Sequence, residues 1–270
     1  MLTAPVSEGE TVVDVVSWVS AGVALASASV TAVLGYWQQQ RLRTMEQRDL
    51  MDSYGASLAW AAFDFQGRVF NILRGHVVDS APGRGVGFLT SFLRAGTEAE
   101  AEYARRSTVF VLAEYLGWVE ILRRDVQFLD LGSSVTNRSV MAQISKVGHA
   151  LSTISPQSNA LRLFRAEQRA VGELMVHPDG EPRRRRCLGF AEFCARLDQD
   201  EVFRGWFQRL LDDVDTLAAD TGPAMWRLED VQRQLVLLLD LLDPRAERFP
   251  RFRDMFDREA AAGRAGAADG

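Results

Sequence analysis

Between Val15 and Trp37 the chain runs for 23 residues without a charged side chain, VVSWVSAGVALASASVTAVLGYW. That stretch limits what the rest can be. At about 1.5 Å of rise per residue it makes a helix of roughly 34 Å. A bilayer's hydrocarbon core is about 30 Å thick, so such a helix crosses it with a modest tilt. A helix also satisfies its own backbone hydrogen bonds, as lipid requires. Trp18 near one end, and Tyr36 and Trp37 at the other, suit the headgroup level. The expectation is one N-terminal transmembrane helix over 15–37.

The flanks set its direction. Residues 1–14 hold Glu8, Glu10 and Asp14 and no Lys or Arg, whereas Arg41, Arg43 and Arg48 follow the span. Positive flanks stay inside. Residues 1–14 therefore read as a short extracytoplasmic tail and the bulk of the chain as cytoplasmic, attached to the cell membrane by a single pass. Trp18, Tyr36, Trp37, Arg41 and Arg43 are the expected membrane-interface residues. Ser20, Ala24, Ala28 and Ala32 recur every four residues and offer a small-residue face for helix pairing. Two other readings of the stretch are a cleaved signal peptide and a buried soluble helix. The first calls for a basic start and a shorter apolar core. The second fits the many Ser and Ala residues.

The part after the span is long enough for one sizeable core or two small ones. The chain carries a net charge of −5, of which the outer tail supplies three. The remainder is close to neutral, so no global field favours nucleic acid. Lys146 is the only lysine among 31 basic residues, a bias that makes arginine clusters weak evidence for phosphate recognition.

Along the chain, apolar spacing is helical throughout. Residues 38–74 read as one long helix, with Tyr54, Leu58, Ala61, Phe65, Val69 and Ile72 at three- and four-residue steps and Gly75 as its stop. Asp64 and Arg68 are spaced for an ion pair. Asp79–Gly87, DSAPGRGVG, is a loop; no strand precedes it and no Gly-Lys-Ser/Thr follows, so it is not a phosphate loop. A helix follows from Thr97 to Leu129, opened by a Thr97–Glu100 capping box, with Glu120 placed to pair with Arg123 or Arg124. Further helices are expected over Val135–Thr153, Asn159–Val176, Cys187–Leu197, Glu201–Ala219 and from Pro223 to Leu242. Residues 251–270 read as a loosely ordered tail. No segment alternates long enough for a strand. The fold class is all-α: the span, then a cytoplasmic helical domain over 38–250 built as a bundle of about six or seven helices.

The search for chemistry yields no catalytic residues. His76, His149, His177, Cys187 and Cys194 fit no metal spacing, and no metal or other cofactor is implied. No nucleophile elbow or kinase set is present. Cys187 follows four arginines, which would activate it if exposed; a structural thiol is the plainer reading. The acids Glu114, Glu120, Glu167 and Glu173 are spaced to face different ways and have arginines nearby. The run Arg183, Arg184, Arg185 and Arg186 reads as a solvated loop, with contact to anionic lipid as the alternative.

The segments LAWAAFDFQGRVFNILRG (58–75), FVLAEYLGWVEILRRDVQFLDLG (110–132), FRAEQRAVGELM (164–175) and CLGFAEFCARLD (187–198) resemble uncharacterised single-span, membrane-anchored helical proteins of actinobacteria. The resemblance implies location and helical build, and it carries no activity with it. Sequence thus points to a membrane-tethered helical interaction or regulatory module. Its partners would be the lipid bilayer and another protein or a second copy, with no nucleic acid. An oligomerising membrane effector or channel-like protein, and an enzyme of unrecognised type, are the alternatives.

Overall fold

The computed structural model describes residues 31, 33–39, 54–79, 87–126, 135–181 and 184–259. The chain divides into two units, Met1–Leu50 and Met51–Gly270. In the first, residues 33–39 are helical and fully on the surface; Val33, Leu34, Tyr36 and Trp37 are 54% to 62% exposed. Most of the expected span, together with Trp18, Ser20, Ala24, Ala28, Ala32, Arg41 and Arg43, lies outside the described residues. No helix among the described residues is long and apolar enough to cross a membrane.

The second unit is all-α. Helix α1 covers 54–79, and a π-helical turn, Thr90–Arg94, follows. Then come α2 (Glu98–Val126), α3 (Val135–Ser152), α4 (Arg165–Met175), α5 (Phe190–Gln199) and α6 (Glu201–Ala219). A 3-10 turn, Gly222–Ala224, leads into α7 (Met225–Leu242). The described residues contain no strand, only an isolated antiparallel bridge between Val176 and Cys187. Helix α2 is the hub, packing on α4, α5, α6 and the π-helical turn, while α3 pairs with α7.

The apolar spacing of α1 builds the core directly: Tyr54, Leu58, Ala61, Phe65, Val69 and Ile72 are all buried. The helix does not stop at Gly75 but continues to 79. Here glycine serves close approach rather than termination, since a Cβ on Gly75 would lie 2.8 Å from the Cα of Gly87. Arg68 does not close on Asp64. It donates to Ser107 Oγ at 3.2 Å and Thr108 Oγ1 at 3.0 Å, with its guanidinium over the Phe88 ring.

Helix α2 begins with the expected box. The Glu100 carboxylate accepts from the Thr97 N–H at 2.7 Å, and Thr97 Oγ1 accepts from the Glu100 N–H at 3.3 Å. Further along, buried Glu120 accepts from both Arg123 and Arg124. Gly172 of α4 sits against the Leu116 carbonyl, where a Cβ would come within 2.6 Å, so the two backbones touch.

Helix α4 begins at Arg165, not at Asn159. Leu161 takes a left-handed conformation (φ 54°), which breaks helical continuity. Phe164 then caps α4, its N–H donating to the Glu167 carboxylate at 2.7 Å. The turn before it is held from below by Arg227 of α7, which is 1% exposed. Arg227 donates to the carbonyls of Ala160 (2.7 Å), Ser158 (2.9 Å) and Thr153 (3.1 Å).

After α7 the chain turns at Asp243, whose carboxylate accepts from the backbone N–H groups of Glu247, Arg248 and Phe249. Burial pushes that carboxyl up, but the three donors hold it below the usual range. Residues 249–256 then run alongside α1 in the same direction. Phe249 stacks on Phe63 (4.4 Å) and meets Trp60 edge-on (4.7 Å), and Phe256 meets Phe70 (5.9 Å). We call this segment the strap. Of the stretch expected as a loose tail, 251–256 belong to it, and 260–270 lie outside the described residues.

Candidate functional site

An open cavity of about 220 Å³ lies between the end of α1, the π-helical turn and the end of α6. His76, Asp79, Thr90, Arg94, Asp220 and Thr221 line it. Its polar groups largely serve local turns. Asp79 accepts from the Gly87 N–H at 2.9 Å and from the Thr90 hydroxyl. Asp220 accepts from the Gly222 N–H at 2.9 Å, and the Thr221 hydroxyl donates to the Leu217 carbonyl at 2.7 Å. Among the described residues no three His, Cys, Asp or Glu side chains are placed to hold a metal.

A second polar feature joins α1 and α2. Burial, with Asp64 nearby, pushes the Glu114 carboxyl up to about 7. Burial also raises Asp64, against the pull of Arg68. The buried Cys187 thiol faces the Glu114 carbonyl, with Sγ at 3.8 Å. Burial and the Glu114 charge push this thiol far above the ordinary range, so it is a structural thiol and a poor nucleophile. Glu120, Glu167 and Glu173 are paired with arginines, as their surroundings in sequence suggest.

The arginine run is drawn partly into the fold. Arg183 lies outside the described residues, and Arg184 is exposed. Arg185 Nε donates to Asp125 Oδ1 at 2.8 Å, and the Tyr54 hydroxyl donates to Asp125 Oδ2 at 2.8 Å. Burial, then that bond to Asp125, raises the Tyr54 hydroxyl well above its usual range. A guanidinium nitrogen of Arg186 lies 3.0 Å from His177 Nε2, and the His177 N–H donates to the Arg186 carbonyl at 2.8 Å. The loop is thus pinned to the body at two of its arginines. Of the expected interface residues, Tyr36 and Trp37 are described, both exposed on the 33–39 helix.

The candidate site is the outer edge of α1 and the strap. Trp60 is 55% exposed, Phe252 78% and Met255 42%. The scaffold beneath them is polar and buried. Gln66 Nε2 donates to the Phe252 carbonyl at 2.8 Å. Gln232 Nε2 donates to the Asp254 carbonyl at 2.9 Å and to Gln66 Oε1 at 3.1 Å. Gln232 Oε1 accepts from the Phe256 N–H at 3.0 Å. Gln66 and Gln232 are 1% and 0% exposed, so their amides are committed to this strap. Phe252 is held at φ 62°, where a non-glycine residue is strained by of order 1 kcal/mol.

Sequence reasoning missed this ridge. Phe249, Phe252 and Phe256 were visible at three- and four-residue steps, but they follow Pro244 and sit in no helix. Only the structure brings Phe249 to Trp60 and Phe256 to Phe70. No protein-family model matches the chain, and no curated protein and no solved structure is similar to it.

Proposed function

We propose that this chain is a membrane-tethered helical interaction module. The span over 15–37 anchors it with the N-terminus outside, the helical body lies in the cytoplasm, and the ridge of Trp60, Phe252 and Met255 is the contact surface. The ridge carries the reading. Exposed apolar side chains scattered singly are ordinary in soluble proteins and need no explanation. Here three lie along α1 and the strap that packs on it, and one is held in a strained conformation by buried amides dedicated to its segment. Such an arrangement favours a surface that presents side chains to something else. The tether is supported by the uncharged stretch and by the exposed apolar side chains Val33, Leu34, Tyr36 and Trp37 of the 33–39 helix.

The full chain, expressed in bacterial cells with a different tag at each end, tests this. Alkaline carbonate is expected to leave it in the membrane pellet. Protease added to spheroplasts is expected to remove the N-terminal tag and spare the C-terminal one. Release into the carbonate supernatant, or loss of the C-terminal tag, would overturn the tether or its direction.

A further inference from the structure

We infer that the ridge rests on the anionic leaflet of a lipid bilayer, Trp60, Phe252 and Met255 entering the headgroup layer and Arg248 and Arg251 meeting lipid phosphates. This deepens the proposed function and rests on its tether.

Three observations select lipid as the occupant. The first is charge. Around the strap, Arg245 pairs with Glu247, Arg253 with Asp243, and Arg258 with Glu229. Arg248 and Arg251 are exposed and, among the described residues, have no carboxylate partner. Arg248 precedes the buried Phe249 and Arg251 directly precedes the exposed Phe252, so two unpaired cations stand close to a protruding aromatic on one segment. That is the composition of interfacial membrane-binding elements. The strap's exposed acid Asp254 lies beyond Phe252, leaving 248–251 as the positive end.

The second observation is size. Three exposed large apolar side chains are few beside the roughly 20–30 residues that one partner contributes to a stable protein–protein interface. That is small for a protein partner and ample for insertion at headgroup depth. The third is the direction of the strained residue. At φ 62° the Phe252 side chain is 78% exposed, while its own carbonyl is bonded inward to Gln66. The strap therefore spends its backbone on the protein and its side chain on the outside.

The Arg183–Arg186 run, the more obvious basic element, is less suited to this role. Arg185 is committed to Asp125 and Arg186 to His177.

The test uses the full chain carrying p-benzoylphenylalanine in place of Phe252, a change that keeps an aromatic side chain at this position. It is reconstituted in nanodiscs of phosphatidylcholine alone or with a phosphatidylglycerol admixture, irradiated, and the adducts are weighed. Phospholipid adducts are expected, with a yield about tenfold or more above that in neutral discs, because each of two guanidinium groups gains from the anionic surface. The double variant Arg248→Glu with Arg251→Glu should fall to the neutral-disc level. No lipid adduct in a chain that co-elutes with the discs overturns this inference and leaves the tether standing. Cross-linking to a second copy in place of lipid does the same. Equal lipid yields in both discs overturn the role of the arginines. A chain that does not enter discs at all overturns tether and ridge together.

Discussion

Leu161 and Phe252 make the same backbone excursion with opposite results. Both are bulky residues in the left-handed region, at φ 54° and 62°. Both sit in connecting segments anchored by long polar side chains that reach up from within the fold, Arg227 in one case and Gln66 with Gln232 in the other. The strained residue of the first segment points into the core and is 4% exposed; that of the second points out and is 78% exposed. Leu161 is compensated on the spot by the apolar contacts it gains. Phe252 gains little of that kind within the chain. The difference separates strain that shapes a fold from strain that displays a side chain.

The most severe test of that contrast is Arg227→Ala. It would leave the carbonyls of Thr153, Ser158 and Ala160 without their buried donor, and a loss of about 3–5 kcal/mol is expected in denaturant unfolding of the full chain in mild detergent. A loss below about 1 kcal/mol would mean the 153–161 turn holds itself, and the likeness between the two anchors would dissolve.

Leu161→Gly comes next. Relief of strain offsets part of the lost burial, leaving a net cost of about 1.5–3 kcal/mol in the same assay.

A third test sits in neither segment and serves as a control. The folded-state pKa of Glu114, about 7, lies above that of an unfolded glutamate. The folded form therefore holds the extra proton, and stability is greatest below the unfolded value near 4.3 and falls as pH rises through about 7. Allowing for solvent screening of a partly exposed carboxyl, the swing is about 1–2 kcal/mol. Glu114→Gln should flatten most of the decline in melting temperature between pH 5 and pH 8. An unchanged slope would place the titrating group elsewhere.

The smallest expected effect is the most telling. Phe252→Gly removes both the strain and the exposed ring, and stability should stay within about 0.5 kcal/mol of the parent. A large loss would show that the ring is held by the protein after all, and the contrast with Leu161 would fail.

What sequence made legible follows from where helical periodicity speaks. The spacing on α1 located six residues of its buried face but not Ala59, Ala62, Gln66 or Leu73, the Thr97–Glu100 pair located the start of α2, and α6 spans the residues that its pattern marked. These are local signals, read within one or two turns. The misreadings have distant partners. Gly75 looked like a stop because the Gly87 backbone against which it packs is twelve residues away in sequence. Asn159–Phe164 looked helical because nothing in those residues announces a guanidinium from α7. Arg227 reads as a surface residue at any position, yet it is fully buried. The ridge was hidden for the same reason, since its two halves lie at opposite ends of the second unit.

That separation has a consequence in time. The bond from Gln66 to Phe252 joins residues 186 apart. On a ribosome adding about 5–20 residues each second, α1 emerges roughly 10–40 seconds before the strap that covers its flank. Through that interval Phe63, Gln66 and Phe70 have no cover of their own. Until then they face solvent, which the strap, arriving last, displaces.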